Sequence, residues 1–308
     1  MKTALSILII LVMAEFQTAC NRQKPTTVLF ENKGYHIPYQ LQKPEKVIEL
    51  PNELNEISGL DFYENNQLAC IQDEKGMIYI VDIARQKVVR KIKFEKKGDY
   101  EGIEIVDHIA WVLKSNGNLF RIKDFDDTDN INVKIYKTSL SKRNNAEGIG
   151  YSRKNDRLLI ACKGYPYINK KKGKHKKAVY GFDIHNKELR EIPEFIINLD
   201  SIKKNINYSR MAQTSDELLS FFNPDEGDVS FQPSGIAVHP QNGNIYLIAS
   251  VGKLLVVLNE KGAIQSIIRL DNSVFKQPEG ICFDKKGNLF ISNEGKTGKA
   301  TIIKFSKI

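Results

Sequence analysis

The chain has 308 residues, 41% apolar and 27% charged, with 46 Lys and Arg against 37 Asp and Glu for a net charge of +9. That is enough apolar sequence for a sizeable core, which excludes a disordered chain. The basic excess is spread over turns along the whole length, with no aromatic-interleaved basic run and no recognised nucleic-acid module, so nucleic acid is not an expected partner.

The N-terminus opens with Met1-Lys2 and an apolar run from Ala4 to Ala14, which has the length of a signal-peptide core and is short for a bilayer span. It leads to Ala19-Cys20. A small residue before a lone cysteine at this distance resembles a bacterial lipoprotein signal, in which Cys20 becomes the lipidated first residue. Gln17 and Glu15 depart from that pattern, and a plain cleaved secretory signal is the alternative. Both readings take the protein out of the cytoplasm; the lipoprotein reading makes a membrane its partner. Residues 21–45 are polar, with Lys-Pro at 24–25 and 43–44, and read as a tether.

From residue 46 the chain repeats itself. Ile57-Ser-Gly-Leu, Tyr100-Glu-Gly-Ile, Ala146-Glu-Gly-Ile, Pro233-Ser-Gly-Ile and Pro278-Glu-Gly-Ile recur, with glycines at 59, 102, 148, 235 and 280. Each glycine is followed by apolar runs separated by short polar turns, four strands to a repeat of roughly 45 residues. That period and strand count predict an all-β fold, a β-propeller of four-stranded blades. The first three blades read as 57–94, 102–139 and 148–199. The double interval before Gly235 holds an insertion at about 201–232, with a helix-like Ser215–Phe222, so five blades are favoured and six stay open. The last repeat has only three strands, and Lys46–Leu50 is an outer strand without a blade. It is expected to complete the last blade and close the ring, which removes an open sheet edge.

Of the four cysteines, Cys70, Cys162 and Cys282 sit in strand sequence as small buried residues. The five histidines show no zinc-finger spacing with them.

Strand parity sends the motifs to one face of the disc, together with the turns between second and third strands. That face gathers the irregular, charge-rich sequence. The candidate ligand-binding residues are therefore Ser58, Asp73, Glu74, Asn116, Lys163, Ser234, Asn293 and Glu294. Glu101, Glu147 and Glu279 precede equivalent glycines, so radial symmetry points three carboxylates at one end of the channel. Like charges so placed call for a counter-charge, and calcium, which takes oxygen ligands, is the expected cofactor. The alternative is that they bond the next blade and fix the ring. The run Lys170–Lys177 could hold a small anionic or phosphorylated ligand, or be simply solvated. No catalytic nucleophile is apparent.

The succession Ile57-Ser-Gly-Leu, Asp99-Tyr-Glu-Gly-Ile-Glu104, Ala146-Glu-Gly-Ile149, Pro233-Ser-Gly-Ile-Ala237 and Pro278-Glu-Gly-Ile281 resembles the SdiA-regulated family over about residues 45–306. Lys253-Leu-Leu-Val-Val and Leu289-Phe-Ile-Ser-Asn-Glu294 add to the likeness. The resemblance implies an envelope-associated propeller, calcium-linked, with a loose likeness to propeller phytases. The leading expectation is thus a periplasm-facing propeller that binds a ligand, with a divalent cation, at its channel mouth. A metal-dependent hydrolase of phosphate esters or lactones is the enzyme alternative, and an interaction scaffold the third. Oligomeric state is not legible.

Overall fold

The computed structural model describes residues 25–126, 130–173, 175–205, 231–296 and 298–308. Cys20, the signal segment and the helix expected at 215–222 lie outside these residues.

Five antiparallel sheets form a ring. Blade 1 is β3 (Ile57–Phe62), β4 (Gln67–Gln72), β5 (Met77–Asp82) and β6 (Lys87–Lys93). Blade 2 is β7 (Tyr100–Val106), β8 (Ile109–Lys114), β9 (Leu119–Lys123) and β10 (Asn132–Tyr136). In blade 3, β11 (Ala146–Ser152), β12 (Arg157–Cys162) and β13 (Lys176–Asp183) are followed by an outer edge split between β14 (Glu188–Leu189) and β15 (Phe195–Asn198). Blade 4 is β16 (Gln232–Val238), β17 (Ile245–Val251), β18 (Leu254–Leu258) and β19 (Ile264–Arg269). Blade 5 takes β20 (Pro278–Phe283), β21 (Leu289–Asn293) and β22 (Thr301–Phe305) from the C-terminus. Its fourth strand is β2 (Lys46–Glu49), paired with β22 as the closing strand expected from the sequence. The innermost strands β3, β7, β11, β16 and β20 touch in that order, and β20 returns to β3.

Position within a blade dictates sequence pattern. Central strands are covered on both faces, so β18, Leu-Leu-Val-Val-Leu, is buried throughout. The outer β6, Lys-Val-Val-Arg-Lys-Ile-Lys, alternates between covered and exposed residues. Between each pair of neighbouring blades lies one hydrophobic cluster, five in all. The seam of blades 2 and 3, for example, is filled by Trp111 edge-on to Phe182.

The tether expected over residues 21–45 is corrected from residue 25 onward. Strand β1 (Thr27–Glu31) pairs with β19 and becomes a fifth strand of blade 4. The chain then crosses to blade 5, burying Tyr39 and Leu41 in the cluster between blades 4 and 5. Tyr39 donates its hydroxyl proton to the carbonyl of Gly287 at 2.6 Å. The physical reason is that β19 would otherwise expose its outer edge, and Thr-Val-Leu-Phe-Glu can cover it. After blade 3 the helix α1 (Leu199–Asn205) begins the segment expected as an insertion.

Candidate functional site

The repeated motif has two separable causes in the structure. The glycine is required by the crowding of inner strands round the axis. A Cβ on Gly59 would lie 2.8 Å from the Cα of Gly102, and one on Gly235 would lie 2.5 Å from the carbonyl oxygen of Glu279. The residue before the glycine is the extra residue of a β-bulge. In every blade the register between first and second strands shifts across this position, at Ser58, Glu101, Glu147, Ser234 and Glu279. A bulge bends its strand and re-aims a side chain. The motif thus builds one re-aimed side chain per blade at one end of the channel.

These five side chains divide by chemistry. Ser58 and Ser234 are buried and donate to carbonyls of the next blade, at Tyr100 (2.7 Å) and Pro278 (2.8 Å). They knit the ring. The three glutamates are drawn together around one lysine. Lys163 Nζ lies 3.3 Å from Glu147 Oε1, and its charge also acts on Glu101 and Glu279. Burial, then the charges of Glu147 and Asp99, push the Glu101 carboxyl up to about 9. Glu101 is also hydrogen-bonded to Asp99, and Ser115 donates to Asp99 Oδ2. Burial raises Glu279 to about 7 against a hydrogen bond from Gln277, with the Glu147 charge adding to the rise. Glu147 is raised by burial and drawn back by Lys163 and by Asn145, whose amide donates to it at 2.5 Å. Behind Lys163, the buried Lys177 donates to the Lys163 carbonyl, and burial lowers its ammonium to about 8.

The other expected site residues fall elsewhere. Asp73, Glu74 and Glu294 gather with Glu56 at the seam of blades 5 and 1. Burial and the Glu56 charge raise Asp73 to about 6, and its Oδ1 is buried without a hydrogen-bond partner. Asn293 is buried, its amide donating to the Val274 carbonyl at 3.1 Å. Asn116 accepts the Asn118 amide within its own turn. Sequence reasoning missed Asp99, Glu56 and Gln277, and read Lys177 only as part of a basic run. Of these, Asp99 was legible as the acid two residues before Glu101.

Among the described residues, no three His, Cys, Asp or Glu side chains come together as ligands for a metal ion. The donors are hard acidic oxygens suited to calcium, but Lys163 already stands where they converge. As arranged, they do not fit a preformed calcium site.

Below the bulges the channel closes to a cavity of about 10 Å³ lined by the motif glycines and isoleucines. That is space for about one water. Beyond this waist it opens on the opposite face into a cavity of about 990 Å³. The turns of that face are short, such as Asp284–Asn288, in contrast to the charge-rich loops of the motif-bearing face.

The sequence model of the SdiA-regulated family matches residues 32–297. No curated protein matches the sequence. Among solved structures, the chain is similar to glutaminyl cyclase of Myxococcus xanthus, at 11% identity and a TM-score of 0.52, covering 86% of this chain and 95% of that one. It is also similar to the PQQ-bound aldose sugar dehydrogenase of Streptomyces coelicolor, at 12% identity and a TM-score of 0.48, covering 86% and 97%. At 11% identity the likeness to the cyclase is one of fold alone.

Proposed function

The chain belongs to the SdiA-regulated family, and from that premise we propose that it is a ligand-binding β-propeller taking a small anionic ligand at its motif-bearing mouth. A lipid on Cys20 would hold it at a membrane outside the cytoplasm, a reading that rests on the N-terminal sequence. The observation that carries the binding site is the convergence of Glu101, Glu147 and Glu279 on Lys163. Lys163 supplies the positive charge for a phosphate or carboxylate. Carboxyls held protonated by burial, Glu101 and Glu279, supply O–H donors rather than repelling charges. The neighbouring Lys170–Lys177 run adds attraction at longer range.

Calcium is the second reading, and it requires Lys163 to leave the point where the carboxyls converge. It is favoured by the mutual repulsion of Asp99, Glu101 and Glu147, which one lysine offsets only in part. The two readings have opposite pH dependence. Anion binding weakens as pH rises through about 7 and about 9, where Glu279 and Glu101 ionise. Calcium binding strengthens over the same range. Titration calorimetry of metal-free protein with inorganic phosphate and with calcium chloride, at pH 6 and pH 9, separates them. Phosphate binding at pH 6 that disappears in Lys163→Met supports the anion site. No phosphate binding at pH 6 refutes it, and calcium binding that strengthens at pH 9 puts the second reading in its place.

A further inference from the structure

The cavity of about 990 Å³ on the opposite face has a composition that ring closure does not explain. Two residues beyond each motif glycine, and on the same side of the strand by alternation, stand Asp61, Glu104, Gly150, Ala237 and Cys282. Three blades close with a small residue at this position. Gly150 lies so near blade 4 that a Cβ would sit 2.9 Å from the Ile236 carbonyl oxygen. Ala237 and Cys282 line the cavity at this level, where the two adjacent blades 1 and 2 put a carboxyl group instead. The two carboxyls thus stand side by side on blades 1 and 2, across the cavity from the small side chains of blades 4 and 5.

Neither carboxyl is used up by the fold. Asp61 accepts the amides of Phe62 and Ile105, one on each oxygen at 2.7 Å. Glu104 accepts the amide of Tyr151. A carboxylate has about four acceptor sites, so both keep capacity facing the cavity. Burial pushes Asp61 up to about 7, and burial together with the Asp61 charge raises Glu104 well above the usual carboxylate range. The groups facing the pair are the Cys70 thiol from blade 1 and the Cys282 thiol from blade 5, both raised by burial and by the Asp61 charge, and the guanidinium of Arg153 from blade 3. Farther out, Asp107, Asp284 and Lys285 line the rim, with His108 and the buried His239, and Lys154 is paired with Glu260. Acids exceed bases. Arg153 is exposed and makes no hydrogen bond or ion pair with another described residue.

We propose that this cavity is a second binding site, for an organic cation that carries a primary ammonium group held between Asp61 and Glu104. An ammonium has three donors for the free acceptor sites of two carboxylates. The volume is that of a small-molecule pocket and far exceeds what a bare ion needs, so the charge comes with an organic body, which Ala237, Tyr151 and Phe283 would flank. The site lies beyond the waist and does not depend on the reading of the motif-bearing mouth.

The test is titration calorimetry of the folded chain with 1,4-diaminobutane, against 1,4-butanediol as the uncharged counterpart, at pH 6 and pH 8.5. The diamine should bind, the diol should not, and affinity should rise with pH as the carboxyls ionise. Glu104→Gln should weaken binding about tenfold or more, the scale of one charge-assisted hydrogen bond. Arg153→Glu, on an exposed residue the fold does not use, should tighten it, which keeps the test open if Glu104→Gln folds poorly. Equal behaviour of diamine and diol, or affinity indifferent to Arg153→Glu, would overturn the proposal.

Discussion

Replacing Lys163 by Met removes the ammonium on which the buried Glu147 and the half-buried Glu101 and Glu279 converge, while keeping a side chain of similar length. At 3.3 Å the Lys163–Glu147 pair is worth about 5 kcal/mol with an effective dielectric of about 20, before desolvation is counted. Lys163 is one-third exposed, so solvent screening and its desolvation take back much of this, leaving an expected loss of about 1–3 kcal/mol. The loss should depend on pH with a definite sign. Glu101 and Glu279 have folded-state values of about 9 and about 7 against an ordinary 4.5, so folding takes up protons between these values. Their contribution is intact below pH 4.5 and declines as pH rises through 7 and 9, making the wild type less stable at pH 9 than at pH 5. Lys163 restrains that decline, and Lys163→Met steepens it. Thermal unfolding from pH 5 to pH 9 reads it directly, at about 2–4 °C per kcal/mol for a domain of this size. The gap between variant and wild type should be small at pH 5 and largest at pH 9. A gap constant across the range would refute the shared-lysine account.

Four further outcomes follow from the same contacts. Glu101→Gln should raise the melting temperature at pH 9 and leave it near wild type at pH 5, since it removes a repelling charge only where that charge exists. Ser234→Ala should cost about 1 kcal/mol in urea unfolding at any pH, by removing the hydrogen bond to Pro278 between blades 4 and 5. A chain starting at residue 44 should melt at least 10 °C lower than one starting at residue 25. It loses β1 with the buried Leu29, Tyr39 and Leu41, each worth about 1.5–3 kcal/mol; equal melting would show that this segment does not contribute. Cys20→Ser should release the protein from the membrane fraction on cell fractionation, and unchanged partition would exclude a lipid on Cys20.

The ring and its closure were legible because propeller strands are local and periodic. Gly59 to Gly280 mark every blade, and Lys46-Val-Ile-Glu reads as a strand whose only vacancy is beside the three-stranded last repeat. The role of the motif was only half legible. Its repetition identifies the residue before each glycine, but the bulge that re-aims it depends on pairing register, which no single strand reveals. The lysine partner was among the candidates, yet nothing in the spacing of Glu147 and Lys163 joins them; the pairing of β11 with β12 does. Thr27–Glu31 went unread because one short strand between prolines carries no periodicity. The large cavity was illegible for another reason. Gly150, Ala237 and Cys282 look like ordinary strand residues until five blades bring them to one level.

The strand added to blade 4 also bears on how the molecule would meet a lipid surface. Thr26 is already fixed in the fold, buried and accepting the Asp271 amide at 3.0 Å. With a lipid on Cys20 as proposed, five residues, 21–25, separate the lipidated cysteine from a rigid body, a span of at most about 20 Å. The leash is thus short. It leaves the disc at its circumference, at the end of blade 4 where Thr27 faces Arg269 and β19 runs on to the next motif. The protein would then stand beside the bilayer by one rim, with the motif-bearing opening on the nearer side and the wide cavity turned toward open solution. Two compartments of ligand, one diffusing along the lipid surface and one arriving from the bulk, would each have a door.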